Sequence, residues 1–152
     1  LEPNNAIQLL RTTRLNSATT NPDGAWGTNY AGIRKANIFI SKIDIVPLPE
    51  TTRAIYKAEA RFLRSFFYFE LLKRYGGVPL IGDRVFEATD NINLARNTFE
   101  ETVNYIVSEC DILADQVQPA NIGDANWGRI NKGIVLTLKA KVLNYAASPL
   151  YN

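Results

Sequence analysis

Residues 58–81 read AEARFLRSFFYFELLKRYGGVPLI, four Phe and two Tyr among charged residues, ending in a glycine pair and a proline. The apolar spacing is that of an amphipathic helix, and the run extends back to Glu50 without a breaker. The spacing predicts a helix over 50–75. Gly76 and Gly77 serve as its stop, and Lys73 and Arg74 oppose the negative end of the helix dipole. On a helical wheel Lys57, Arg61, Arg64, Tyr68 and Tyr75 share one polar strip. Ile55, Phe62, Phe66 and Phe69 fill an apolar arc that Leu63 and Phe67 extend. Phe62, Phe66 and Phe69 are therefore expected to be packing. Glu59 and Glu70 fall inside the apolar arc, where a carboxylate with little water needs a cation, and Arg34 and Lys141 of neighbouring helices are the expected partners.

Outward from this spine, residues 27–44 carry Tyr30, Ile33, Asn37 and Ile40 at helical spacing before VPLPE (46–50) stops them. Residues 1–26 read as a polar connection whose NSATTNPDGAW (16–26) is dense in turn formers, with Trp26 at the end of a surface loop. After residue 76, GGVPLI to about Glu87 is expected to be extended, and the chain then crosses the surface to a third helix. That helix opens on a capping box, Thr98 with Glu101, and keeps its period through Phe99, Val103, Ile106, Cys110, Leu113 and Val117. A second turn-rich loop, QPANIGDANWGRIN (118–131), leads to a fourth helix capped by Asn131 and running to about Ala147. The expectation is an all-α fold of tetratricopeptide-like antiparallel hairpins within one domain, 27–75 and 98–147. The caps Thr98 and Asn131 lie 33 positions apart, near that repeat's period. Ala60, Arg61 and Leu63 are echoed by Ala140, Lys141 and Leu143.

Composition removes most catalytic classes. The 152 residues contain no His and a single cysteine, Cys110, so His-ligated metals, zinc motifs, internal disulfides and His-based triads are excluded, and no cofactor is implied. Cys110 sits on an apolar face without an activating neighbour and reads as a small buried hydrophobe. Seventeen basic against fifteen acidic residues, scattered along the chain, argue against a nucleic-acid partner. No stretch reaches the roughly 20 apolar residues of a membrane span. The absence of Met indicates a processed protein or part of a longer one.

The candidate ligand residues are the tryptophans and their polar neighbours. Trp26 lies near Asn21, Asp23 and Asn29, and Trp127 lies between Asn126 and Arg129. An indole face beside such donors and acceptors suits a sugar, whose C–H groups stack on the ring while its hydroxyls hydrogen-bond around it. The competing reading, that each Trp anchors its loop against the helix that follows, is the favoured one for both and more so for Trp127.

Three stretches together, WGTNYAGIRKANIFISKID (26–44), the spine at 58–81 and WGRINKGIVLTLKAKVLNYAASPLYN (127–152), resemble the SusD/RagB nutrient-binding outer-membrane lipoproteins in order and separation. The resemblance implies tetratricopeptide-like hairpins at the cell surface, held by a lipid anchor and seated over a SusC-like TonB-dependent transporter that receives oligosaccharides. It implies binding rather than catalysis. Members of that family are several times longer, and their lipidated cysteine has no counterpart here, so the chain reads as part of the N-terminal helical region. Two alternatives stay open: a scaffold that only docks the transporter, and a peptide-binding member of the same family.

Overall fold

The computed structural model describes residues 24–87, 89–120, 123 and 126–151. Four helices follow in order: α1 (Ala25–Lys42), α2 (Glu50–Tyr75), α3 (Phe99–Leu113) and α4 (Lys132–Ala146), with a 3-10 turn (Ile43–Ile45) after α1. The expected all-α fold is observed, and α1 begins at Ala25 rather than at Gly27. Trp26 therefore lies in the first turn of a helix and not at the end of a loop.

The helix ends obey local chemistry. Gly76 closes α2 at a φ of 69°, a left-handed conformation that costs glycine nothing, and its N–H donates to the Leu72 carbonyl. The Thr98 hydroxyl accepts from the Glu101 N–H at 3.0 Å, and the Glu101 carboxylate accepts from the Thr98 N–H at 2.7 Å. The Asn131 side chain accepts from the Ile134 N–H at 3.1 Å.

Cross-helix contacts fix the directions. Between α1 with its 3-10 turn and α2, Asp44 meets Lys57 at 3.0 Å, Asn37 meets Arg64 at 2.9 Å and Trp26 meets Tyr75 at 5.1 Å between rings. Numbers fall along one helix as they rise along the other, so the pair is antiparallel. Arg61 to Glu109 at 2.7 Å and Tyr68 to Tyr105 at 5.1 Å between rings make the same ladder from α2 to α3. Asp115 to Lys132 at 2.9 Å and Phe99 to Tyr145 at 6.5 Å between rings continue it to α4.

One core joins all four helices, with Ile33 of α1, Phe62, Phe69, Leu71 and Leu72 of α2, Ile106 and Leu113 of α3, and Val135 and Val142 of α4. Each large apolar side chain buried here contributes about 1.5–3 kcal/mol. Cys110 is fully buried among them, and burial pushes its thiol pKa up to about 11.

The wheel of α2 is corrected by its neighbours. Helices α1 and α3 both pack on α2, so its buried surface is wider than one apolar stripe. Arg64 and Tyr68, expected on a polar strip, are 3% and 0% exposed, whereas Phe66 and Leu63, expected in the apolar arc, are exposed. Phe62 and Phe69 are packing as expected. Glu59 and Glu70 do find cations, but different ones. Arg129 reaches Glu59 from the loop before α4, and Lys73 and Arg74 of the same helix reach Glu70 at 2.6 and 2.8 Å. Arg34 instead donates to the Phe86 carbonyl. Ala60 is buried while its echo Ala140 is exposed, because α2 is covered by two helices and α4 by α3.

Candidate functional site

The connection from α2 to α3 turns back along α1. Gly77 makes this possible: a Cβ there would stand 2.0 Å from the Asn97 carbonyl oxygen, so only glycine lets the two ends of the connection touch. The Asn97 side chain accepts from the Leu80 N–H at 3.0 Å, and the Tyr68 hydroxyl accepts from the Ile81 N–H at 2.9 Å.

Farther along, Asn37 of α1 donates to the carbonyls of Gly82 (2.9 Å) and Arg84 (2.8 Å) and accepts from Arg64. Arg64 also binds the Gly82 carbonyl at 3.2 Å, the Asp83 carboxylate at 2.5 Å and Glu109 at 3.4 Å. Burial works against the Arg64 charge, but Tyr105, Asp83 and Glu109 outweigh it and raise its pKa, so the guanidinium stays charged. A buried cation thus ties α1, α3 and the connection together at one point.

Between α1 and this connection lies a cleft of about 680 Å³. One wall is the α1 stripe Trp26, Tyr30, Arg34 and Asn37, and the other is Ile81, Arg84, Phe86 and Glu87. The Trp26 ring is held at 4.9 Å from Tyr30 and edge-on to Tyr75, yet the residue is 40% exposed. The Tyr30 hydroxyl donates to the Pro79 carbonyl at 2.8 Å, and desolvation raises its pKa. The Arg84 guanidinium lies 4.5 Å above the Phe86 ring. The cleft therefore offers aromatic faces and charged donors fixed on hydrogen-bonded backbone, which is what stacking and hydrogen bonding to a sugar require.

The sequence candidates separate into three groups. Trp26 lines the cleft. Asn29 is buried on the same helix, its amide donating to the Ala25 carbonyl at 2.7 Å. Asn21 and Asp23 lie outside the described residues. Trp127 is 85% exposed in a different place, next to Asn126 and Arg129. Arg129 there makes a two-point ion pair with Glu59 (3.0 and 2.5 Å) and sits 4.6 Å over the Tyr56 ring, fastening the loop to α2.

Tyr30, Arg34, Arg84 and Phe86 were not among the sequence candidates. Tyr30 and Arg34 follow Trp26 at four-residue steps and become visible once the helix is started at Ala25. Arg84 and Phe86 come from an aperiodic connection whose docking no local pattern announces.

Fold and cleft together define a scaffold of helical hairpins with a walled cleft. The profile of the SusD-like family, described as starch-binding and associating with the outer membrane, matches residues 3–142, and the chain belongs to that family. SusD-like protein P38 of Formosa agariphila is 31% identical over 86 residues, which is 57% of this chain and 16% of that relative. Among solved structures, a laminarin-binding SusD-like protein superposes with a TM-score of 0.82 at 26% identity, over 95% of this chain and 31% of that one. A SusD-like protein of Bacteroides fragilis superposes with a TM-score of 0.79 at 30% identity, over 88% of this chain and 26% of that one. The chain thus spans less than a third of the length of the relatives described.

Proposed function

We propose that the cleft between α1 and the α2–α3 connection binds a glycan, and that the protein does so at the outer-membrane surface in partnership with a SusC-like TonB-dependent transporter. The observation that carries the reading is the Trp26–Tyr30 aromatic wall facing Arg84 on Phe86 across a cleft of about 680 Å³. The likeness to a laminarin-binding SusD-like protein supports the ligand class. The family's description supports the location. Asn21 and Asp23, close to Trp26 in sequence, are proposed to border the same ligand. Trp127 with Asn126 and Arg129 is proposed as a secondary contact.

Binding proceeds without turnover. Among the described residues lining the cleft Glu87 is the only carboxylate, and glycoside hydrolysis generally needs two. With two tryptophans in the chain, Trp127→Phe leaves Trp26 as the sole indole reporter. Titrating that variant with neutral and acidic oligosaccharides, laminarin oligosaccharides and oligogalacturonides among them, should give at least one that shifts its emission, with matching heat in calorimetry and no new reducing ends. Heat without an emission change places the site elsewhere, and new reducing ends overturn the non-catalytic reading.

A further inference from the structure

Ion pairing over the described residues is uneven. Arg53, Lys57, Arg61, Arg64, Lys73, Arg74, Arg129, Lys132 and Lys139 each meet a carboxylate. Among the described residues Arg34 and Arg84, which line the cleft together with Glu87, meet none, and neither do Lys35, Lys42, Arg96 and Lys141 outside it.

Both guanidiniums are held at one residue. Arg34 donates to the Phe86 carbonyl, and Arg84 stacks on the Phe86 ring. Among the described residues neither uses all of its N–H donors, since a guanidinium has five. Two guanidiniums placed on the lining of one cleft beside aromatic rings suit an arriving anion, because the planar fork of Arg matches carboxylate and sulfate oxygens.

Resting on the glycan reading of this cleft, we propose that its ligand is an anionic glycan, whose carboxylate or sulfate ester groups are taken by Arg34 and Arg84 while a sugar ring stacks on Trp26. A neutral glucan would offer neither guanidinium an opposite charge. The chemistry shared by uronate and sulfate ester is an oxyanion standing off a pyranose ring.

The test uses affinity electrophoresis with two matched pairs of polysaccharides, polygalacturonate against its methyl ester and dextran sulfate against dextran. The whole chain should be retarded more strongly by the charged member of one pair, by about tenfold in apparent Kd, and which pair does so separates uronate from sulfate. Raising NaCl from about 50 mM to about 500 mM should narrow the gap. The double variant Arg34→Gln with Arg84→Gln should abolish the preference with an unchanged thermal unfolding curve. Lys35→Gln with Lys42→Gln, which removes two exposed cations outside this cleft, should keep it.

Equal retardation by both members of each pair, or loss of preference in the lysine variant alone, overturns the anionic assignment. If Trp26→Ala still abolishes binding in that event, the glycan reading stands without it. Binding unaffected by Trp26→Ala overturns both.

Discussion

The two tryptophans of this chain stand in similar sequence, each in a Gly/Asn/Asp-rich stretch before a helix, and in different structure. Trp26 is caught between Tyr30 and Tyr75 in the first turn of α1 and faces a walled cleft. Trp127 projects into solvent, and what holds its loop is Arg129 on Glu59 and Tyr56. A turn-rich setting for an aromatic therefore says little about its role. The opposing wall decides, and that wall is built by residues fifty to sixty positions away.

Breaking each region separately sharpens the contrast. The largest effect is expected for Arg64→Ala, which strips Glu109 and Asn37 of a buried partner and frees the connection that walls the cleft. Loss of about 3–5 kcal/mol in urea unfolding is expected, with the Trp26 region disordered first. A loss under about 1 kcal/mol would mean that the connection is held some other way.

Gly77→Ala comes next, because its Cβ overlaps the Asn97 carbonyl oxygen, a backbone atom with little room to give. About 1–3 kcal/mol should be lost, by the same measurement. Glu59→Ala acts on the other region. It takes the Glu59 carboxylate from Arg129, should cost about 1.5 kcal/mol and should open the Trp127 loop to limited proteolysis while leaving the Trp26 cleft intact. The smallest effect is that of Thr98→Ala, which deletes the capping box of α3 for about 1 kcal/mol and touches neither tryptophan.

Helix ends other than the start of α1 are legible because they are written locally. Gly76, the Thr98–Glu101 box and Asn131 each act within four residues of themselves. The faces of α2 were less legible, since a helix packed on more than one side buries residues that a single-stripe wheel assigns to water. Arg64 is the clearest example, a charged residue made buriable by partners on α1, α3 and the connection. Glu59 needed a cation, as its position on the wheel required, but the one it found lies 70 residues on, in an aperiodic loop. The cleft was half legible. Trp26 stands out in the sequence, but its alignment with Tyr30 and Arg34 does not, because a helix begun at Gly27 leaves Trp26 outside it. Arg84 and Phe86 carry no periodic signal at all.

Side-by-side affinity electrophoresis of Trp26→Ala and Trp127→Ala in gels containing the polysaccharide that retards the unmodified chain tests the central claim most directly. Trp26→Ala should migrate as if no polysaccharide were present, and Trp127→Ala should keep most of the retardation. Retardation lost in Trp127→Ala and kept in Trp26→Ala would contradict the assignment of the glycan site to the cleft between α1 and the α2–α3 connection.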